Sequence, residues 1–234
     1  MNIVIPMAGL GSRFEKAGYT LPKPLIDVLG KPMIRRVVDN IGVPGNYYFI
    51  AQRTCPLYDT IIQIPYPSEI IKIDGLTEGA ACTVLKARSR IDSNEELLMA
   101  NSDQMVLDVN FVQAGIDYFR KRDLDGGIWC FLCKHPKWSY ARIDDQCLVT
   151  EVAEKNPISD LATVGTYYFK KGSDFVRSAE QMIQKNIRVN NEFYTCPVYN
   201  ELIGCGGKVG VYMVNEMVGL GTPEDLESYI ESCR

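Results

Sequence analysis

Short apolar runs alternate with longer amphipathic segments along the first half of the chain. Residues 2–6, 47–52 and 70–73 have the length and composition of buried strands. Residues 78–90 and 110–122 repeat their apolar positions at helical spacing. An alternation of strand and helix through residue 125 is typical of parallel βαβ units.

The predicted strands of the second half lie closer together, which indicates antiparallel additions to the same sheet. The remaining predicted elements are a helix opening at Lys31-Pro32, strands at 96–101, 127–132, 149–154, 162–169 and 209–214, a helix over 173–186 with Ser173 as N-cap, and a last helix starting at Thr222. We therefore expect an α/β fold: a single three-layer Rossmann-like domain over residues 1–234, with a mixed, mostly parallel sheet. Functional residues are expected at the carboxyl ends of its strands.

Composition narrows the class of protein. Of the 234 residues, 46% are hydrophobic and 23% charged, which suits a chain that folds around its own core. No apolar run approaches the ~20 residues that a membrane helix needs, and the first residues lack the basic region of a signal peptide. Eight scattered cysteines are interpreted as reduced thiols. A cytoplasmic protein without a membrane partner is expected.

Charge is distributed unevenly. The net charge of −4 argues against a nucleic-acid-binding surface. Residues 1–36 nevertheless contain six basic and two acidic side chains. A small anion is the natural partner of such a local positive region.

A glycine-rich loop follows the first predicted strand. Glycines permit positive φ and a close approach of backbone N–H groups to a phosphate, and Arg13 adds a forked donor. The predicted phosphate-binding residues are Ala8, Gly9, Leu10, Gly11 and Ser12. Phe14 occupies the third glycine position of a dinucleotide fingerprint, and no Gly-Lys-Ser/Thr closes a P-loop, so both of those sites are disfavoured. On the glycines alone, an ordinary strand-to-helix turn is an equal alternative.

Lys23 stands between two prolines, Pro22 and Pro24. Proline restricts the backbone, and a fixed cation can stabilise charge that develops during a reaction without reorganising. Lys23 is therefore predicted, with Arg13, to contact a phosphate group.

These residues resemble the sugar-phosphate nucleotidyltransferase family, whose hallmark is a G-x-G-[ST]-R loop followed by a K-P element. Further segments resemble the family in the same order along the chain: Gly75–Ala81, Asn101–Asp103, Val149–Pro157, Gly165–Phe169 and Gly221–Glu224. The resemblance implies a magnesium-dependent enzyme in which residues 1–125 bind the nucleotide and residues 126–234 bind the acceptor. Arg13 and Lys23 are then the catalytic residues.

The resemblance also implies roles for individual residues. Asp103 would hold Mg²⁺, although a turn residue at a strand end is the alternative. Gly75, Thr77, Glu78, Gly79 and Ser102 would join the glycine loop in binding the nucleotide. Glu154 and Lys155 would bind the acceptor, although an exposed ion pair is the alternative for them. Apart from the resemblance, the aromatic stretches 138–142 and 191–194 are expected to line the acceptor pocket, which makes Arg142 and Glu192 candidate acceptor-binding residues.

Two positions depart from the family pattern. Gly219 stands where relatives with two metal ligands often have Asp, and Leu10 stands where sugar pyrophosphorylases usually have a third glycine. In detail the chain resembles the small cytidylyltransferases of capsule phosphoramidate synthesis, which act on phosphoglutamine. This implies CTP and phosphoglutamine as substrates; dTTP, UTP or GTP with a sugar 1-phosphate remain the alternative.

The implied reaction is attack of the acceptor phosphate on the α-phosphorus, with release of pyrophosphate. Phosphate monoesters are mostly dianions at pH 7, so His135, the one histidine, is not needed as a base. A non-catalytic nucleotide-binding subunit is a second alternative, and a glycosyltransferase a third. Asn101-Ser102-Asp103 has only the last carboxylate of the D-x-D motif that glycosyltransferases favour. Family members often form homo-oligomers, but the sequence does not fix the number of subunits.

Overall fold

The computed structural model describes residues 1–61 and 63–234, in which strands and helices alternate as the pattern predicts. The strands are β1 (Asn2–Pro6), β2 (Asp27–Val28), β3 (Lys31–Pro32), β4 (Asn46–Gln52), β5 (Ser68–Ile73), β6 (Leu97–Ala100), β7 (Gln104–Val106), β8 (Gly126–Leu132), β9 (Ser139–Ile143), β10 (Val149–Glu154), β11 (Leu161–Phe169), β12 (Val209–Met213) and β13 (Met217–Gly219). The helices are α1 (Ser12–Lys16), α2 (Met33–Ile41), α3 (Tyr58–Ile61), α4 (Ala80–Val84), α5 (Arg88–Ile91), α6 (Phe111–Lys121), α7 (Gly172–Gln184), α8 (Val198–Gly204) and α9 (Pro223–Ser232).

The main sheet contains nine of the described strands. Its path runs β10-β9-β11-β6-β1-β4-β5, and β8 and β12 extend it from β11. The first-half strands pair in parallel, β1 with β4 and β6, and β4 with β5. Antiparallel pairs join β11 to β6 and β8, and β10 to β9, while β12 returns parallel to β8. The predicted mixed sheet is confirmed.

Helices cover both faces of this sheet, because its central strands are apolar on both sides. In β1, Ile3 and Ile5 belong to one buried cluster, which includes the inner faces of α2 and α6. Val4 points to the opposite face and joins a second cluster with residues of α4, α7 and α8. Successive residues of a strand alternate between faces, so one short strand supports both layers. The predicted three-layer arrangement is thereby confirmed.

Three predicted boundaries are wrong. The helix expected over 78–90 is divided into α4, a 3₁₀ turn over Leu85–Ala87, and α5, and it starts late because Gly79 has φ +130°. Pro32 ends β3 in extended backbone, so α2 begins only at Met33. Ser173 is not an N-cap, since backbone carbonyls of Ser93 and Glu95 already accept from the first amides of α7.

The start of the last helix is predicted correctly: the Thr222 side chain accepts a hydrogen bond from the backbone of Asp225. None of the helices described is both long and apolar enough to cross a bilayer.

Tyr199 of α8 ties the antiparallel part of the sheet together. Its side chain is fully buried, and its hydroxyl lies 2.9 Å from two carbonyl oxygens, those of Gly127 in β8 and Tyr168 in β11. Gly127 and Tyr168 are register partners in this sheet. The hydroxyl therefore reinforces the junction of the two strands from the helix side.

Replacing Tyr199 by Phe removes that donor and leaves buried carbonyl oxygens short of a partner. We expect the free energy of unfolding to fall by about 1–2 kcal/mol, measured by urea titration. Tyr66→Phe is the control, because within the described residues the Tyr66 hydroxyl makes no hydrogen bond while its ring stacks on Tyr47. Equal losses of unfolding free energy in the two variants would show that the hydrogen bonds of the Tyr199 hydroxyl do not stabilise the fold.

Candidate active site

The carboxyl ends of β1 and β6 bring two sequence motifs to the same edge of the sheet. The strands are parallel neighbours, with Asn2 opposite Leu97 and Val4 opposite Met99. The glycine loop leaves β1, and Asn101–Asp103 leaves β6. Adjacent parallel strands end at one edge, where open α/β sheets bind their ligands.

The glycine loop turns sharply beside Lys23. Gly11 adopts φ +65°, and a Cβ there would lie 3.2 Å from the Cβ of Lys23. Above Gly9 there is no atom within 4 Å of an added Cβ, so its backbone faces open space. Phe14 is buried and anchors the short helix that follows the loop. The loop thus has the close turn and the exposed backbone that a phosphate site requires.

Lys23 and Asp103 form an ion pair across 80 residues of sequence. The Nζ atom lies 2.6 Å from Oδ2, and each side chain is about one fifth exposed. Lys23 begins a 3₁₀ turn that is fixed by Pro22 before it and the buried Pro24 within it. A partly buried pair of this kind holds both charges in place before any ligand binds.

Arg13 is not part of this pair. It is an exposed residue of α1, two positions after Gly11. Within the described residues no ion pair or side-chain hydrogen bond restrains it. The structure therefore brings Lys23 and Asp103 into contact, whereas Arg13 is an exposed residue of α1 outside this pair.

The C-terminal segment packs beneath Asp103. β13 pairs with β7, and the backbone of Leu220 donates to the Asp103 carbonyl at 2.7 Å. A Cβ on Gly221 would lie 2.9 Å from Asp103 Oδ2, so a side chain at this position would displace the carboxylate. Beside Gly219 lie the Trp138 ring and the Asp225 carboxylate, 3.3 and 3.7 Å from the position of an added Cβ.

The ligand chemistry around Asp103 fits magnesium shared with a substrate. In the part of the chain that the structure describes, no three His, Cys, Asp or Glu side chains cluster as a metal cage. Mg²⁺ commonly takes one or two protein carboxylates and completes its shell with phosphate oxygens and waters. A single accessible carboxylate beside a phosphate-type loop meets that requirement.

A cavity of about 360 Å³ adjoins the glycine loop. It is lined by Pro6, Ala8, Gly9, Leu10, Leu76, Thr77, Gly79, Ala80, Thr83 and Glu192. The two predicted nucleotide-binding segments therefore meet at one cavity. Gln52 fixes their spacing, because its amide donates to the carbonyls of Ala8 and Gly75 at 2.9 and 2.8 Å.

Several predicted nucleotide-binding residues lie outside this cavity. Ser102 is buried, and Ser12 is exposed beyond the loop. The Glu78 carboxylate pairs with Arg188. Conversely, Glu192, predicted for the acceptor, lines the cavity of the glycine loop.

Gly79 makes the closest backbone contact in the site. A Cβ there would lie 2.5 Å from both the N and the O of Phe193. Backbone hydrogen bonds run from Phe193 to the Glu78 carbonyl and from Ala81 to the Phe193 carbonyl, at 2.7 and 3.0 Å. Segments 75–81 and 191–194 are therefore clamped to each other.

A second, smaller cavity of about 140 Å³ lies on the other side of this clamp. Its lining includes Ala80, Asn101, Gln104, Lys137, Trp138, Ser139, Glu154, Thr163, Gly165, Tyr167, Tyr194, Thr195 and Cys196. At its wall Gly165 has φ +70°, and a Cβ there would overlap Gln104 and Asn101. Sequence reasoning missed Gln104, and the glycine at 165 is the signal that marks it.

Glu154 is the acidic group of this second cavity. Its carboxylate accepts a hydrogen bond from the Ser139 hydroxyl. Burial raises the pKa of Glu154, and the charge of Glu192 acts in the same direction, whereas Ser139 and Lys155 lower it. The direction of the net shift shows that burial outweighs the neighbouring hydroxyl and ammonium.

Lys155 forms no ion pair with Glu154 among the described residues. Its φ is +54°, an uncommon conformation for a residue with a side chain, and its backbone N–H donates to the Trp138 carbonyl. Its Nζ donates to the Tyr194 hydroxyl at 2.7 Å. The alternative of an exposed Glu154–Lys155 ion pair is therefore wrong.

Arg142 is not brought to either cavity. It pairs with Glu151, its register partner across β9 and β10, and donates to the Ile158 carbonyl. The prediction that Arg142 contacts the acceptor finds no support in this position, because a cross-strand ion pair holds the side chain outside the cavity.

The helix-covered mixed sheet, with its loops at the strand ends, defines the fold class of nucleotide-diphospho-sugar transferases. The profile of the nucleotidyl transferase family matches residues 3–194, and the chain belongs to that family.

A curated relative is the bifunctional protein GlmU of Methanocaldococcus jannaschii, 27% identical over 179 residues. The match covers 73% of this chain but 40% of GlmU, so the chain spans about two fifths of that protein.

Solved structures are similar over almost the whole chain. A nucleoside-diphosphate-sugar pyrophosphorylase from Vibrio cholerae RC9 has a TM-score of 0.80 and 25% identity, with 98% of this chain and 99% of that one covered. UDP-glucose pyrophosphorylase complexed with UDP-glucose also gives 0.80, at 16% identity, with 99% and 97% covered. The second likeness concerns the fold alone.

Proposed function

We propose that this chain is a magnesium-dependent nucleotidyltransferase that couples a nucleoside triphosphate to a small phosphorylated acceptor and releases pyrophosphate. The observation that carries the proposal is the Lys23–Asp103 pair beside the glycine loop. That loop lines one cavity, and Asn101 and Gln104, which flank the Asp103 turn, line the other. A fixed cation and a carboxylate thus adjoin a site for each substrate.

The acceptor's phosphate oxygen attacks the α-phosphorus, and the bond from that phosphorus to the bridging oxygen of the β-phosphate breaks. The bridging oxygen leaves with pyrophosphate. An acceptor phosphate with its second pKa near ~6 is already the nucleophilic dianion at pH 7. The protein has no proton to remove, and its task is to bring two anions together and neutralise them.

Lys23 is suited to that task. An ammonium group has three N–H donors, so it can keep one on Asp103 and direct the others to phosphate oxygens. Arg13, exposed beyond Gly11, supplies a second, mobile cation to the triphosphate. Asp103 would hold Mg²⁺, which when bound contributes further positive charge on the phosphates.

The two parts of the chain divide the substrates between them. The larger cavity is lined by residues of 1–125 with the addition of Glu192, and we assign it to the nucleotide. The smaller cavity is lined mostly from 126–234, and we assign it to the acceptor, with Glu154 in its lining and Lys155 bonded to the lining residue Tyr194.

For the substrates we propose CTP and phosphoglutamine, on the resemblance to capsule cytidylyltransferases. A second candidate is transfer from dTTP, UTP or GTP to a sugar 1-phosphate. It is favoured by the 25% identity to the Vibrio cholerae nucleoside-diphosphate-sugar pyrophosphorylase, which extends over 98% of this chain.

A substrate panel tests the proposal. We expect pyrophosphate release only when a triphosphate, a phosphorylated acceptor and Mg²⁺ are all present, with CTP and phosphoglutamine giving the highest kcat/KM. Highest activity with another triphosphate and glucose 1-phosphate would establish the second candidate. Triphosphate binding by calorimetry with no turnover on any acceptor would instead indicate a non-catalytic subunit.

Replacing Lys23 by Ala removes the fixed cation. We expect kcat/KM for pyrophosphate release to fall by about 10²–10³-fold, as for other preorganised donors. Lys31→Ala is the matched control: it removes a lysine of the same basic segment that pairs with Asp39 on the exposed surface. Wild-type turnover by a folded Lys23→Ala protein contradicts the role given to Lys23.

Asp103→Asn keeps the shape of the side chain but removes its charge. We expect the Mg²⁺ concentration for half-maximal activity to rise at least tenfold, roughly the affinity lost with an anionic ligand. Manganese binding, followed by electron paramagnetic resonance with CTP present, should weaken in parallel. Asp117→Asn, on the exposed face of α6, is the control. Superimposable metal titrations of the variant and wild type would remove Asp103 from the metal site.

A further inference from the structure

We propose that the acceptor carries an ammonium group, and that Glu154 binds this group inside the smaller cavity. The proposal rests on the transfer function given above and narrows its acceptor to phosphorylated amines or amino acids, as opposed to neutral sugar phosphates. Three observations support it: a buried carboxylate without a contacting cation, aromatic walls, and nearby lysines that are directed to other partners.

The charge of Glu154 has no counter-charge in contact with it. Among the described residues no Lys, Arg or His forms an ion pair with Glu154, whose hydrogen-bonding partner is the neutral hydroxyl of Ser139. Glu201, another buried glutamate, is paired with Lys185 at 2.7 Å. A buried carboxylate is costly unless a cation balances it. A cationic ligand group would supply that balance at Glu154.

Nearby cations do not take this place. Lys155 is directed to the Tyr194 hydroxyl, and Lys137 pairs with Asp225 at 3.1 Å. Two further charges act on Glu154 without forming an ion pair or hydrogen bond with it: the ammonium of Lys155 favours its ionised form, and the carboxylate of Glu192 disfavours it more weakly. Among the described residues, the contact position beside the Glu154 carboxylate is therefore not taken by a cation.

Aromatic rings complete the surroundings. Trp138, Tyr167 and Tyr194 line the same cavity as Glu154. Two of these rings already hold cations: Lys137 lies 4.7 Å from the Trp138 centroid, and Lys155 lies 4.8 Å from that of Tyr194. Ring faces together with a carboxylate are the chemistry that recognises ammonium groups. The hydroxyls of a neutral sugar could accept or donate hydrogen bonds there but would leave the carboxylate charge unbalanced.

The lining of the cavity carries both signs of charge. The ammonium of Lys137 suits the phosphate of the acceptor, while the carboxylate of Glu154 suits its ammonium group. The cavity volume of about 140 Å³ is below the 300–1,000 Å³ of ordinary ligand pockets. The expected acceptor is therefore compact, with its phosphate and its ammonium separated by a short chain.

Matched acceptors test the proposal. Phosphoethanolamine and hydroxyethyl phosphate differ only in an ammonium and a hydroxyl group, and phosphoglutamine can be compared with its analogue lacking the α-amino group. With wild-type protein and CTP, we expect kcat/KM to be about 100-fold higher for each amine than for its neutral partner, as for other desolvated charge pairs. This comparison requires no variant.

Glu154→Gln then separates charge from hydrogen bonding. Gln keeps an oxygen for the Ser139 hydroxyl, so the variant should lose about 100-fold in kcat/KM with the amines and less than about 3-fold with the neutral acceptors. Glu151→Gln, on the same strand but paired with Arg142 outside the cavity, should leave both unchanged. Unaltered CTP affinity and thermal unfolding check that the variants are folded.

The outcomes are distinct. Preference of the wild-type protein for neutral acceptors, or equal use of both kinds, overturns the ammonium site and leaves nucleotidyl transfer intact. Equal losses for both kinds of acceptor in Glu154→Gln also overturn it, because a structural role or hydroxyl binding would produce that result. If no pyrophosphate is released with amine acceptors, neutral acceptors or sugar 1-phosphates, the transfer function itself is overturned, and the ammonium site with it.

Discussion

The candidate site depends on the parallel pairing of β1 with β6. That pairing aligns the ends of the two strands, so that a lysine and an aspartate 80 residues apart meet at 2.6 Å. Burial on both faces fixes the register: Ile3 and Ile5 enter one core cluster and Val4 the other. A shift of one residue would exchange these faces, and burial of apolar surface therefore also positions the charges of the cleft.

The two acidic side chains in the cleft differ in whether a cation of the protein neutralises their charge. The carboxylate of Asp103 is paired within the protein, and the pair holds Lys23 ready for an incoming phosphate. The carboxylate of Glu154 is left to a neutral hydroxyl, although burial raises its pKa. An internal ion pair fixes the position of a cation of the protein, whereas an unbalanced carboxylate favours a ligand that carries a cationic group. The cleft thereby contains a fixed cation, Lys23, and a carboxylate, Glu154, that a cationic ligand group would neutralise.

Sequence reasoning recovered the parts that depend on local pattern. The alternation of strands and helices, the sheet type and the strand at 149–154 are confirmed because apolar periodicity reports burial directly. The place of Gln104 in the lining of the smaller cavity could not be predicted, since it reaches the cavity only through long-range packing. Arg142 was misplaced for a similar reason: its register partner on β10 is known only once the strands are paired.

The contact between Gly79 and the backbone of Phe193 has a consequence for how specificity can change. Backbone hydrogen bonds join the wall of the larger cavity to that of the smaller one at this point. The space between the two segments is too narrow for a methyl group on Gly79. A displacement of one wall would disturb these contacts with the other. A mutational path that reshapes one pocket therefore has to pass through variants in which the second pocket is also disturbed. Selection acting on this cleft would have to adjust both substrates together.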